Sequence, residues 1–250
     1  MTREESIMMR LEENNLAAQN SVRGKGYLIG TFLYGSQNYN LDTEESDVDS
    51  IALFCPNEDY AILNPAINWE IETEYGKVTI KDIRKFVGEI LKQNPNSLEI
   101  LFTNYKIRNF YFDAFLTFLY AKRDELVRLD RRKMLFSSVQ IGLNYLKRKP
   151  FKGKYLANAI RMLYFAEVYF YDLPFEDCLK VNYKDTRDLI IKLKVGKGKA
   201  DNDLINAVEQ RLNDIFKEDI PTANSEEILK WKDLLNEYVL EEIHQYRRNC

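Results

Sequence analysis

Histidine is almost missing from this chain: of 250 residues a single one, His244, is a histidine, and it lies near the charged C-terminal end. That scarcity largely excludes Ser-His-Asp and Cys-His nucleophile pairs and histidine-ligated zinc, each of which needs an imidazole at a defined place. His244 itself reads as a solvated helix residue. Cysteine is scarce as well: Cys55, Cys178 and Cys250 are odd in number and far apart, which fits reduced thiols better than a disulfide framework or a zinc site. No apolar run approaches the ~18 residues that a membrane helix requires. The opening residues 1–10 are charged from the third position with no apolar stretch behind them, so no signal peptide is expected. These absences lead to the expectation of a globular cytoplasmic protein with no membrane partner. Hydrophobic residues make up 45% of the chain, enough to fill a substantial core in one large domain or two small ones.

A general excess of charge is also lacking, since the net charge is −3, yet the charge is unevenly spread. Between residues 122 and 161 fall Lys122, Arg123, Arg128, Arg131, Arg132, Lys133, Lys147, Arg148, Lys149, Lys152, Lys154 and Arg161, opposed by Asp124, Glu125 and Asp130. Such a stretch can hold a polyphosphate or a nucleic-acid backbone, or it can be solvated helix surface.

The first hundred residues mix periodicities. Ile7, Leu11, Leu16 and Ala18 are loosely helical, and Gly24 and Gly26 end that run. Residues 27–34 form a short aromatic-rich apolar run bounded by glycines, which reads as a buried strand. Residues 47–54 read as a second strand, polar at its start, and residues 69–81 as one long strand or a hairpin turning at Gly76. Ile83, Phe86, Val87, Ile90 and Leu91 make the stripe of an amphipathic helix that Asn94-Pro95-Asn96 stops. Residues 98–102 fit a short strand or a helical turn. Beyond Asn109 helix follows helix, near 110–128, 130–148, 153–171, 184–194, 201–216 and 225–247. An α+β fold is expected, with a small mixed sheet and helices over residues 1–108 and an all-helical lobe over residues 109–250.

The segment that carries chemistry is Leu33-Tyr34-Gly35-Ser36, ten further residues, then Asp47-Val48-Asp49. A strand ending in Gly-Ser can turn into a short helix whose first N–H groups point outward. The missing side chain at Gly35 lets a phosphate approach, and Ser36 adds a hydroxyl. Alternation along a strand puts Asp47 and Asp49 on one face and Val48 in the core. Paired carboxylates repel each other and call for a cation. Mg²⁺ suits them because it takes a few carboxylate oxygens and lets substrate phosphates supply the rest.

Phe32-Leu33-Tyr34-Gly35-Ser36 with Ser46-Asp47-Val48-Asp49-Ser50 resembles the nucleotidyltransferase signature of the DNA polymerase β superfamily. The match extends through Gln37-Asn38-Tyr39, Leu41-Asp42-Thr43, Lys81-Asp82-Ile83-Arg84-Lys85-Phe86, Asn94-Pro95-Asn96 and Glu99-Ile100-Leu101-Phe102. Over about residues 27–105 the chain is similar to nucleotidyltransferases predicted in bacteria and phages. That resemblance implies a nucleotidyltransferase that binds an NTP as donor, with Mg²⁺ or Mn²⁺ held by Asp47 and Asp49. The resemblance supplies no acceptor; the basic stretch 122–161 favours a nucleic-acid end, with a protein or small molecule as the alternative, and a catalytically silent nucleotide-binding module is a further alternative.

One departure stands out. The superfamily usually supplies a third carboxylate from the next strand, and Lys77-Val78-Thr79-Ile80-Lys81 contains none. Asp82 is the first candidate for that catalytic acid, although it also reads as a helix N-cap; Glu74 follows, and Glu70, Glu72 and Glu74 together read as a solvent face. Glu99 could orient a lysine or arginine near the site. Lys154, Asn158 and Arg161 share a helix face and could reach a triphosphate across the cleft, or form a polar stripe opposite Leu156, Ile160 and Leu163. The cluster Tyr164, Phe165, Tyr169, Phe170 and Tyr171 is read as core.

Overall fold

The computed structural model describes residues 2–43, 46–109 and 114–249, and the fold is α+β, with a five-stranded mixed sheet and a succession of helices. Cys250 and the expected helix start at 110–113 lie outside the described residues.

A capping box opens α1 (Arg3–Val22), in which Thr2 Oγ1 accepts from the Glu5 N–H and the Glu5 carboxylate accepts from the Thr2 N–H. Then come β1 (Gly26–Leu33), a 3₁₀ turn at Ser36–Tyr39, β2 (Ser50–Pro56), α2 (Glu58–Leu63), β3 (Asn68–Thr73) and β4 (Gly76–Asp82). After α3 (Ile83–Leu91), α4 (Pro95–Leu98) and a 3₁₀ turn at Glu99–Leu101, β5 (Lys106–Arg108) completes the sheet. The order is β3-β4-β2-β1-β5, parallel between β2 and β4 and antiparallel elsewhere.

Burial on both faces explains why β1 and β2 read as unbroken apolar runs. On one face Ala18 and Val22 of α1 meet Leu28, Ala52, Phe54, Val78 and Ile80. On the other, Ile29, Ile51 and Leu53 join Phe86, Val87 and Ile90 of α3 in a core that runs on into the helices. Those are α5 (Ala114–Ala121), α6 (Arg123–Leu126), α7 (Arg131–Leu146), α8 (Gly153–Phe170), α9 (Phe175–Leu179), α10 (Lys184–Lys194), α11 (Asn202–Lys217) and α12 (Ser225–Asn249). The last of them returns to the sheet: Tyr27 of β1 donates its hydroxyl to Glu242 at 2.9 Å, and Tyr238 stacks on Phe118 with ring centres 4.1 Å apart. Among the described residues no helix is long and apolar enough to cross a membrane.

Some local expectations shift. The second strand starts at Ser50, so Asp47-Val48-Asp49 leads into it from outside the ladder. The helix expected to reach residue 128 breaks at Lys122, which adopts φ −109°, ψ 8°. The short helices α2 and α9 leave too little periodicity to be read. Tyr164, Phe165 and Tyr169 are buried as expected, whereas Tyr171 ends α8 and is 70% exposed.

Candidate active site

Asp47, Val48 and Asp49 are held by their backbone. The Asp47 carbonyl accepts from Gln37 Nε2 at 2.6 Å, the Val48 carbonyl from Asn14 Nδ2 at 2.7 Å and the Asp49 carbonyl from the Tyr34 N–H at 2.9 Å. The 3₁₀ turn, α1 and the residue that follows β1 therefore each fix one peptide. Val48 is buried against Ile7 and Leu33, and its N–H donates to the Tyr75 carbonyl at 2.7 Å. This close approach requires Gly76 in the β3–β4 turn: its φ is +151°, and a Cβ there would lie 2.7 Å from the Val48 oxygen. With the main chain pinned, both carboxylates face the cleft. Asp49 Oδ1 accepts from the Lys77 N–H at 3.0 Å, and Asp47 is exposed.

The Gly-Ser turn is built differently from the simple picture of outward amides. Gly35 takes φ +101°, a conformation that disfavours any side chain although the space around it is open. Its N–H points inward to Glu99 Oε1 at 3.0 Å. Glu99 also accepts from Asn38 Nδ2 at 3.2 Å and from the Tyr39 hydroxyl. It is thus the buried post on which the turn is mounted. Burial pushes its carboxyl up to about 7, opposed by the Tyr39 hydroxyl, the Arg161 charge and the Gly35 amide. Its hydrogen bonds go to the turn and not to a lysine or arginine.

Ser36 faces a cleft of 440 Å³ between the ends of β1 and β2 and the helices. Gly35, Ser36, Asp47 and Asp49 line one side; Lys154, Asn158 and Arg161 of α8 line the other. Arg161 is buried, with its guanidinium 4.2 Å from the Tyr39 ring centre, and it donates to Asn96 Oδ1 at 3.1 Å. Asn96 thus gives Arg161 its hydrogen bond, while Glu99 acts on that guanidinium through its charge.

Lys194 of α10 adds a cation that the linear pattern does not reveal. It lines the cleft and donates to the Leu41 carbonyl at 2.9 Å; burial, then the nearby Lys154, hold its ammonium below the usual lysine range. Two further bonds tie the end of the 3₁₀ turn and the residue after it to the helical part, Arg187 Nε to the Asn40 carbonyl at 2.7 Å and the Val181 N–H to the Tyr39 carbonyl at 3.0 Å. Asn14 is likewise invisible in the sequence, a polar residue in an otherwise ordinary helix.

Asp82 does not join this group, which corrects the expectation of a third catalytic acid there. The β2–β4 register sets it beside Phe54, five residues along from Asp49 and so roughly 16 Å away. It is fully buried, caps α3 through the Arg84 N–H at 2.9 Å and is ion-paired with the Arg84 guanidinium at 2.6 Å. Beside Asp49 stands Lys77, whose ammonium lies 3.5 Å from Glu70 and 3.8 Å from Glu72; Glu74 is in the exposed turn beyond. Among the described residues no group of three or more His, Cys, Asp or Glu side chains is placed to hold a metal.

The basic stretch spreads over α6, α7 and α8, and several of its charges serve packing. Arg123 lies on the Phe102 ring, Arg128 pairs with Asp172, and Lys133 donates to the Leu91 carbonyl. His244 is exposed.

Among solved structures the chain is similar to a nucleotidyltransferase-like protein from Exiguobacterium sibiricum 255-15. Identity is 12%, the match covers 95% of this chain and 78% of that one, and the TM-score is 0.31. No protein-family model and no curated protein matches the chain.

Proposed function

We propose that the protein is a nucleotidyltransferase that moves a nucleoside monophosphate from an NTP to an acceptor hydroxyl, with pyrophosphate leaving. One observation carries this reading: a single cleft gathers Asp47 and Asp49, the Gly35–Ser36 turn and the cations Lys154, Arg161 and Lys194. Carboxylates on one wall and cations on the other suit a metal-bound triphosphate stretched between them.

The residues fit Mg²⁺ or Mn²⁺. Asp49 gives one oxygen to the Lys77 N–H and keeps the other, while among the described residues no group takes either oxygen of Asp47, and such ions take one or two carboxylates with phosphate and water completing the shell. When bound, the ion neutralises phosphate charge and makes the acceptor hydroxyl more acidic. The chain's own residues then divide the work. Ser36 donates to phosphate oxygens, Lys154, Arg161 and Lys194 offset the charge of the triphosphate, and the pinned carbonyls of residues 47–49 hold the carboxylates in position.

Pyrophosphate release from each common NTP, with Mg²⁺ or Mn²⁺ and total RNA as one acceptor, tests the reading against Asp47→Asn and Asp49→Asn. Release that both substitutions abolish supports transfer. A second reading, nucleotide binding without turnover, is favoured by Lys77 standing beside Asp49 where a further carboxylate would complete the site. Calorimetric NTP binding with no release in any condition would establish it.

A further inference from the structure

Behind the phosphate-facing residues of the cleft lies a buried acid that is wired to both of its walls. Glu99 is fully buried and Arg161 is 7% exposed, so an acidic group and a guanidinium stand together in the protein interior. They meet through Tyr39 and not as an ion pair: the Tyr39 ring carries the guanidinium 4.2 Å from its centre, and the Tyr39 hydroxyl donates to Glu99 Oε2. The other oxygen, Oε1, accepts from the Gly35 N–H at 3.0 Å and from Asn38 Nδ2 at 3.2 Å. Gly35, Tyr39 and Arg161 all line the cleft. Glu99 therefore reaches one wall through Gly35 and the other through Tyr39, from the side away from the cleft.

Few other titratable groups face this carboxyl. Tyr34, which follows β1, lies within electrostatic reach of it, and Tyr145 of α7 acts on Tyr34 and Arg161. Tyr120 of α5 and Arg123 of α6 donate instead to the Ile100 and Leu101 carbonyls. Arg161 is the cation that faces Glu99. Charges in such an interior interact over several ångströms with little screening. A triphosphate resting on the Gly35–Ser36 turn and on Arg161 brings negative charge close to Glu99 and draws on the same arginine. Both effects disfavour the ionised carboxylate. Burial already pushes this carboxyl up to about 7, against the Tyr39 hydroxyl, the Arg161 charge and the Gly35 amide, so its proton is exchanged near neutrality.

Resting on the NTP-binding part of the transfer reading, we propose that Glu99 couples nucleotide binding to proton uptake: the cleft holds a triphosphate more tightly when Glu99 is protonated, and binding draws a proton from solvent onto a Glu99 oxygen. Glu99 touches no substrate atom and acts as a positioning residue through Gly35 and Tyr39. Its protonated form leaves the Arg161 charge to the phosphates, while Oε1 still accepts from Gly35 and keeps the turn in place. The linkage is reciprocal, so bound NTP raises the proton affinity of Glu99 by the same factor by which protonation raises the affinity for NTP.

The test is calorimetry with the Mg²⁺ complexes of the α,β-methylene analogues of the common NTPs, in which the bond that transfer breaks is blocked. Titrations in Hepes and in Tris, whose ionisation enthalpies differ, count the protons bound per nucleotide slightly above neutral pH. Glu99→Gln keeps an oxygen for Gly35 but has no titrating proton, so it corrects for protonation of the ligand's own phosphates. Wild type is expected to take up more protons than this variant. From about pH 6 to about pH 8.5 its Kd should rise about fivefold or more relative to the variant's. Tyr39→Phe keeps the ring beneath Arg161 and removes a donor to the carboxylate, so the pH at which affinity falls should move upward. Equal proton uptake in wild type and Glu99→Gln overturns the proposal, as do parallel Kd profiles. Should Glu99→Gln not fold, Tyr39→Phe decides, and an unmoved midpoint overturns the coupling. Failure of every analogue to bind at any pH overturns the transfer reading and this proposal with it, whereas binding without proton linkage overturns this proposal alone.

Discussion

The two ends of the β2–β4 pair carry aspartates of opposite character. At one end, Asp47 and Asp49 sit in a chain segment whose carbonyls are all held, and their carboxylates remain open to the cleft. At the other, Asp82 is fully buried, caps a helix and is matched by Arg84. The first end uses backbone bonds to position charge and leaves that charge uncommitted; the second uses the charge itself to hold structure. An acidic residue near a site is therefore a candidate for chemistry only if the fold has not already satisfied it.

The sharpest way to break this comparison is to remove each charge with the least change of shape. Asp47→Asn and Asp49→Asn should each lower NTP turnover by about a thousandfold or more, through loss of phosphate-charge neutralisation, and change unfolding free energy by less than about 1 kcal/mol. Turnover assays and urea denaturation of the same preparations would show it. Asp82→Asn should do the reverse. It leaves Arg84 without its buried partner and should cost about 2–4 kcal/mol in denaturation experiments, while turnover per folded molecule stays within about twofold. A catalytic loss there exceeding the loss of folded protein would contradict the assignment.

Asn14→Ala probes the pinning itself. Without its amide the buried Val48 carbonyl loses a donor and Thr73 loses an acceptor, at a cost of about 1–3 kcal/mol. Displacement of the carboxylates should also lower turnover about tenfold with little change in NTP affinity, which a kcat-against-KM comparison would separate.

The smallest effect concerns Glu99. Its folded value of about 7 lies above its ordinary 4.5, so between those values the folded state binds the proton more tightly than the unfolded chain does, and stability falls as pH rises through that window. Glu99→Gln removes that fall. Denaturation curves at several pH values should show the variant gaining on the wild type from about pH 4.5 to 7; parallel curves would refute the buried-carboxyl account.

What could be read in advance was whatever depends on local order. The α3 stripe, the apolar β1 and β2 and the Gly-Ser turn follow from spacing and from residue types that act on their own neighbours. What stayed hidden depends on which strands pair and how far they slide. Asp82 looked close to the aspartate pair because it follows them at the end of the second strand after theirs, but parallel pairing carries it to the far end of the sheet. Lys194 and Asn14 reach the site from positions far from it and from each other in the chain, where no spacing rule connects them. Glu99 was visible as a conspicuous residue, yet its role under the Gly35 turn exists only because the 3₁₀ turn at Glu99–Leu101 packs beneath that loop.

By itself the sequence determined the chemical inventory: two carboxylates with one residue between them, a glycine tolerant of positive φ, a helix face carrying Lys154, Asn158 and Arg161, and almost no imidazole or thiol. These are properties of residues and their immediate neighbours. Tertiary structure alone decided which charges are neutralised within the protein and which remain free to meet a ligand, because neutralisation depends on partners brought within about 4 Å by strand register and helix packing, distances that chain position does not encode.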